Sequence, residues 1–185
     1  MAAWHPVLVI SVLLLLILAA GCFDTSTDSL PLPTMSTLPI PGVTPHPAQV
    51  LQSNGDVTGQ GTQGGIIDTI TFTISLTDLS KSVDIKHLGI IYADVVRTET
   101  ILPVDGYWGE PPQGRWSIVR VVNELGGPNN LLEKEEQFVI RVNPKAPIVP
   151  TQLITIQLKP AEGNSLAIRR TAPKTIRAEN ILSPV

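Results

Sequence analysis

An unbroken alternation of apolar and hydroxyl side chains, Ile-Thr-Phe-Thr-Ile-Ser-Leu-Thr, occupies residues 70–77. Successive side chains of a β-strand point to opposite faces, so this pattern places one face against a core and the other in solvent. Residues 137–142 and 154–159 repeat the alternation and end close to prolines. A chain with this pattern is predicted to build its core from strands.

Further segments add strands, and no segment of residues 50–185 predicts a helix longer than two turns. Residues 88–96 are apolar at both alternating positions, which is typical of a central strand covered on both faces. Shorter strands are predicted at 50–57, 116–122 and 166–169, with a turn at Gly163-Asn164. Short strands separated by turn signals favour an all-β fold in which two antiparallel sheets pack as a β-sandwich.

Four large aromatic side chains are candidates for the core or for the space between the sheets. They are Phe72, Trp108, Trp116 and Phe138. Trp108 belongs to a stretch rich in glycine and proline, residues 106–112, which is typical of an exposed loop.

Residues 23–49 contain six prolines and eight serines or threonines, with no period of 2 or 3.6 residues. Proline fixes φ and donates no backbone hydrogen bond, so neither a helix nor a sheet can propagate through this segment. Extended as polyproline II it would reach about 80 Å, and as a flexible coil about 30 Å. The segment is predicted to be a disordered stalk ahead of one folded domain, residues 50–185, which is an ordinary domain size.

An apolar run at residues 7–20 ends directly before Gly21-Cys22, the site of the only cysteine. As a helix the run covers about 21 Å, which is short for a membrane core about 30 Å thick and suits a signal peptide. We therefore predict a lipoprotein-type signal peptide at residues 1–22, with Cys22 as the lipidated residue. No Lys or Arg precedes the run, so an uncleaved anchor with Trp4 at the interface is the alternative. Both interpretations place the domain on the outer side of a membrane.

Charge and cysteine content narrow the functional classes. A formal net charge of −3, with 16% charged residues, favours neither nucleic-acid binding nor binding to an acidic membrane surface. One cysteine cannot form an intramolecular disulfide, so the exported domain depends on its core.

Motifs for catalysis or metal binding are weak in residues 50–185. His87 is the single histidine there, and it is predicted to be a surface or strand-end residue. The chain shows neither the Cys/His spacing of a zinc site nor an EF-hand pattern, although a loop calcium site built from Asp and carbonyl ligands is left open. Residues 133–136 are predicted to be a solvated acidic turn, and the glycine-rich residues 59–65 a flexible connection. We predict no enzyme and no catalytic, cofactor or metal site.

Four blocks, in order along residues 50–180, resemble the outer domain of archaellins, the archaeal flagellins. The blocks are residues 55–59 with 67–76, residues 83–85 with 89–94, residues 131–140, and residues 154–160 with 163–168 and 171–173. The resemblance implies an immunoglobulin-like β-sandwich displayed at an archaeal surface filament, with a structural rather than a catalytic role.

The N-terminal part departs from that family. Archaellins have a basic leader followed by a long apolar helix that packs in the filament core, whereas six prolines lie between Cys22 and Val50. We therefore predict a non-enzymatic structural or interaction protein of the archaeal cell surface, tethered to the membrane and contacting the archaellum filament or the surface layer. The alternatives are an unconventional filament subunit and a small ligand-binding surface lipoprotein. A surface enzyme would depend on His87.

Overall fold

Strands and turns make up the part of the chain that this computed structural model describes, residues 48–124, 126–127 and 129–185. The strands are β1 (Leu51–Gly61), β2 (Ile67–Leu76), β3 (Val83–Asp84), β4 (Gly89–Asp94), β5 (Thr98–Trp108), β6 (Arg115–Val122), β7 (Leu131–Leu132), β8 (Gln137–Asn143), β9 (Leu153–Lys159), β10 (Leu166–Thr171), β11 (Glu179–Ile181) and β12 (Ser183–Pro184). A 3₁₀ turn, Ile85–His87, lies between β3 and β4. In these residues no helix has the length and apolar character needed to cross a membrane. The predicted signal peptide, Cys22 and nearly all of the predicted stalk lie outside the described residues.

Ten strands are hydrogen bonded in the order β11-β1-β2-β8-β6-β5-β4-β9-β10-β12, and β3 and β7 form a separate pair. Strand β5 belongs to two sheets. Its first residues, as far as Ile101, pair with β4, and its later residues, from Leu102, pair with β6. The larger sheet is therefore β11, β1, β2, β8, β6 and the second half of β5, and the smaller sheet is the first half of β5 with β4, β9, β10 and β12. All pairs are antiparallel except β5 with β6.

One hydrophobic core joins inward side chains from both sheets. Phe72 and Ile140 come from the larger sheet, and Tyr92 and Ile156 come from the smaller sheet. Each of these side chains is at most 1% exposed. The predicted all-β sandwich is confirmed, and its core arises from the alternating positions that the sequence pattern marks.

The segment of β11 and β12 closes the sandwich at the side opposite β5. Ile181 pairs with Thr58 of β1, whereas Ser183 pairs with Thr171 of β10. Between them Leu182 is 1% exposed, and its N–H donates to the carbonyl oxygen of Val57 at 2.9 Å. A crossing segment thus joins the two sheets at each side of the sandwich.

Three of the four predicted core aromatics are confirmed. Phe72, Trp116 and Phe138 are at most 1% exposed, and the Trp116 ring lies 6.0 Å from that of Tyr107. Trp108 is 37% exposed, and its indole N–H donates to the side-chain oxygen of Asn130 at 3.2 Å. The predicted loop at 106–112 is wrong at its start, because β5 continues to Trp108.

The predicted flexible connection at residues 59–65 is also wrong at its start, because Gly59 and Gly61 belong to β1. A Cβ atom on Gly61 would overlap the carbonyl oxygen of Arg177. This glycine therefore serves close packing between β1 and the segment that precedes β11.

Candidate functional site at the top of the sandwich

The two ends of the sandwich differ in their connections. The described chain begins at the end that we call the base, where Gln49 pairs with Asn164 in the turn between β9 and β10. The base consists of the connections 77–88, 123–136 and 160–165. Strands β2 and β8, β4 and β9 are antiparallel, so their other ends meet at the opposite end, the top. The top consists of the connections 62–66, 95–97, 109–114, 144–152 and 172–178, since Gly114 and Arg115 meet Asn143 at the end of β8.

The connection between β4 and β5, residues 95–97, is a tight turn that we call the valine turn. Val95 is 82% exposed and Val96 is 88% exposed. The sequence predicts a strand covered on both faces through residues 88–96. This prediction is wrong at its end, because β4 stops at Asp94, and wrong for one face, because in that strand only Ile90 and Tyr92 are buried while Ile91 and Ala93 are half-buried. Its central position is confirmed, since β4 lies between β5 and β9.

Asp94, the last residue of β4, binds the valine turn through a fully buried carboxylate. One carboxylate oxygen accepts the backbone N–H groups of Val96 at 2.8 Å and Arg97 at 2.9 Å. The other oxygen accepts the Tyr92 hydroxyl at 3.1 Å and lies 3.1 Å from the Arg97 guanidinium. Asp94 thus forms an Asx-type turn, and because none of residues 94–97 has a positive φ the turn needs no glycine.

Burial disfavours the ionised form of Asp94, but the N–H groups of Val96 and Arg97, the Tyr92 hydroxyl and the Arg97 charge outweigh burial and lower its pKa. Burial and the charge of Asp94 raise the pKa of Tyr92, which stays a neutral donor.

Arg97 connects the turn to the rest of the top. Its guanidinium lies 5.3 Å above the Tyr92 ring and donates to the carbonyl oxygen of Ala146 at 2.8 Å. The connection 144–152 is thereby fixed beside the turn. The side chains of Asp94 and Arg97 thus tie the valine turn to β4 and to the connection 144–152, while the Nε atom of Arg97 is buried without a hydrogen-bond partner.

Two further apolar side chains extend this surface. Val149 is 49% exposed in the connection that Arg97 contacts, and Leu153 is 41% exposed at the start of β9. Leu153 directly precedes Ile154, the pairing partner of Asp94. The top thus presents four exposed apolar side chains.

The ends carry opposite charge. The base connections contain seven carboxylates and three lysines, a formal net charge of −4. The top connections contain four cations, Arg97, Lys145, Lys174 and Arg177, and one carboxylate, Glu110, so with the buried Asp94 their net charge is +2. Burial, followed by the carboxylates of Glu136 and Glu133, raises the pKa of Glu124 at the base. The sandwich is therefore electrically polar along its long direction.

A cleft of about 250 Å³ opens at the base. Its apolar lining consists of Val50, Val83, Leu131, Pro160 and Ala161. The charged side chains of Lys81, Asp84 and Glu162 also line it.

The structure places the residues that the sequence marks for chemistry as follows. His87 is confirmed as a surface residue: it lies in the 3₁₀ turn with its side chain 67% exposed, 3.4 Å from the Asp84 carboxylate. The predicted solvated turn at 133–136 is wrong for Glu136, which is 1% exposed and accepts the N–H of Glu133 at 3.0 Å. In the described part of the chain no group of three or more His, Cys, Asp or Glu side chains is arranged to hold a metal ion. Cys22 lies outside the described residues.

The comparison with known proteins rests on structure. No protein-family profile matches the chain, and no curated protein sequence is significantly similar to it. The crystal structure of the archaeal flagellin FlaB1 from Methanocaldococcus jannaschii superposes with a TM-score of 0.61 at 16% identity, over 75% of this chain and 99% of the flagellin chain. The described domain has the archaellin fold.

The archaeal flagellum of Methanospirillum hungatei strain JF1 gives a TM-score of 0.50 at 13% identity. That alignment covers 73% of this chain and 71% of the flagellum chain. The resemblance that the sequence blocks indicate is thus confirmed for the fold of the archaellin-like sandwich.

Proposed function

We propose that this chain is a non-enzymatic structural protein of the archaeal cell surface, tethered to the membrane and contacting the archaellum filament or the surface layer. The observation that carries the proposal is the superposition on archaeal flagellin over 99% of the flagellin chain. A sandwich that matches a filament protein over its whole length favours a role in assembly. The exposed valine turn supports this role, because it offers two exposed apolar side chains for contact.

The tether follows from the N-terminal sequence. Cys22 directly after a short apolar run favours lipidation, and the proline-rich residues 23–49 favour a spacer of about 30 to 80 Å. The described chain begins at the base, so the proposed stalk would join the domain at the end opposite the valine turn.

Fractionation of native cells that express the full chain tests this proposal. We expect wild type in the membrane fraction with a lipid mass on its N-terminal peptide, and Cys22→Ser in the soluble fraction. Thr25→Ser, which alters the same region without touching the thiol, should fractionate as wild type. Copurification of the tethered protein with filament or surface-layer material supports the second half of the proposal.

The second candidate is an unconventional filament subunit. The similarity to the flagellum of Methanospirillum hungatei favours it for the sandwich. An unmodified Cys22, with the protein recovered in sheared filaments, would replace the tethered protein by this alternative. Loss of both the lipid mass and any association with filament or surface layer would overturn the proposal.

A further inference from the structure

We propose that copies of this chain associate head to tail, with the valine turn of one copy seated in the base cleft of the next. The proposal goes beyond the surface role above, because it names a contact between copies. It starts from two features at opposite ends of one domain. Val95 and Val96 project at the top, and a cleft lined by Val50, Val83 and Leu131 opens at the base.

The volume of the base cleft and the exposed apolar surface of the valine turn both fit the turn as the group that fills the cleft. A volume of about 250 Å³ accommodates the two valine side chains of a turn. The side chains of Val95 and Val96 are 82% and 88% exposed, and placing them in the cleft would remove most of that apolar surface from water. Because Asp94 and Arg97 already fix the turn, seating it costs little conformational entropy.

Charge identifies the partner as a second copy. The top connections carry +2 when the buried Asp94 is included, and the base connections carry −4. A top facing another top, or a base facing another base, would juxtapose like charges, which disfavours such pairs. A top facing a base pairs opposite charges around an apolar centre. The contact uses different surfaces on the two copies, so it is heterologous and leaves one top and one base free.

The free top of the last copy remains available for the filament or surface layer. The predicted stalk permits stacking on one membrane, because strands of ten residues span about 33 Å and an extended stalk reaches about 80 Å. A tethered copy can therefore rise by at least the height of one domain.

Disulfide trapping in the full chain, in intact cells that express it, tests the contact. Val96→Cys and Ala161→Cys are placed in two differently tagged copies, and wild type with Cys22 alone sets the background. We expect a mixed disulfide between the two variants under mild oxidation. Ile181→Cys is the matched control, because Ile181 is 60% exposed on β11, outside both ends. Its yield with Ala161→Cys should be at least tenfold lower.

Each outcome decides the proposal. A disulfide between two Val96→Cys copies would indicate a top-to-top contact and overturn it, as would capture of a different protein or no disulfide above background. The mixed disulfide should weaken when the salt concentration rises from 50 mM to 500 mM, because charges of opposite sign face each other. Trapping does not depend on lipidation, so a failed Cys22 experiment with successful trapping would overturn the tether and leave the head-to-tail contact standing.

Discussion

Val95 and Val96 stand in solvent because Asp94 supplies the hydrogen bonds that shape their turn. The carboxylate accepts two backbone N–H groups and the Tyr92 hydroxyl, and Arg97 neutralises its charge. Without these hydrogen bonds we expect β4 to continue through Val95 and Val96, or the two valine side chains to pack against the sheet. One buried residue thus decides whether the top presents an apolar surface.

Replacing Asp94 with Asn should lower the free energy of unfolding by about 2 to 3 kcal/mol at pH 7, because charge-assisted hydrogen bonds and the partner of Arg97 are lost. The pKa of Asp94 is lowered in the folded protein, so its contribution is complete above the ordinary value of about 3.9 and disappears as the pH falls below it. The difference between wild type and Asp94→Asn should therefore shrink at pH 3 in thermal unfolding. Asp56→Asn, at an exposed position, is the control and should change little at either pH. A difference that persists unchanged at pH 2 would contradict the ionised carboxylate.

Tyr92 gives the opposite pH response. Its pKa is raised, so the neutral phenol contributes stability that is complete below the ordinary value of about 10 and is lost as the pH rises above it. Tyr92→Phe should cost about 1 kcal/mol at pH 7 for the lost hydrogen bond to Asp94. Between pH 10 and 12 wild type should lose stability more steeply than Tyr92→Phe in chemical denaturation. Tyr107→Phe serves as the control at the only other tyrosine and should keep the wild-type steepness.

At the scale of single strands, the sequence pattern predicts those strands that keep one face inward throughout. Strands β2, β8 and β9 lie close to where the pattern places them, although β8 also buries Val139 between Phe138 and Ile140. Strand β5 escapes prediction because it changes sheets between Ile101 and Leu102 and contains Pro103 and Gly106. A strand that serves two sheets changes its inward face along its length, so no single period describes it.

The valine turn escapes prediction for a related reason. Valine favours strands, and no Gly or Pro marks the turn. The signal that was available is the pair of charged residues, Asp94 and Arg97, that brackets Val95-Val96. Their effect depends on Tyr92 and on Ala146, which is 49 residues away from Arg97 and cannot be placed by local pattern.

A substitution at Gly61 tests the close packing of β1 against the segment 172–178. A Cβ atom there would overlap the carbonyl oxygen of Arg177 and crowd the Ile176 side chain. Gly61→Ala should therefore lower the free energy of unfolding by about 1 to 3 kcal/mol, because backbone atoms must move apart. Gly64→Ala is the matched control, since its nearest neighbour to an added Cβ lies 3.7 Å away. Equal stability of both variants in urea unfolding would show that the segment 172–178 can shift freely.

For the molecule as a whole, the two crossing segments decide how the sheets stay together. At one side β5 passes from β4 to β6, and at the other the β11–β12 segment passes from β1 to β10. Both sheets contribute to a single core and are also joined through the chain at both sides. Opening the sandwich therefore requires the loss of a crossing segment as well as of core contacts.

Leu182 anchors the second crossing. Leu182→Ala should lower the free energy of unfolding by about 2 to 5 kcal/mol, because a side chain that is 1% exposed would leave a cavity between the sheets. Ile181→Ala, at the adjacent position with 60% exposure, should cost less than about 1 kcal/mol. Chemical denaturation of the two variants measures the contrast. Similar losses would mean that the segment contributes through its backbone pairing alone.

The crossing at β11 and β12 also sets an order of events. This segment comes later in the chain than every strand with which it pairs. The pairing of Thr58 in β1 is therefore complete only once Ile181 has been synthesised. Until that segment has left a ribosome or a translocation channel, β1 and β10 each keep one edge without a pairing strand. The two sheets are then not yet joined at that side of the sandwich. For the exported protein proposed above, this delay keeps the chain unfolded enough to be threaded across a membrane.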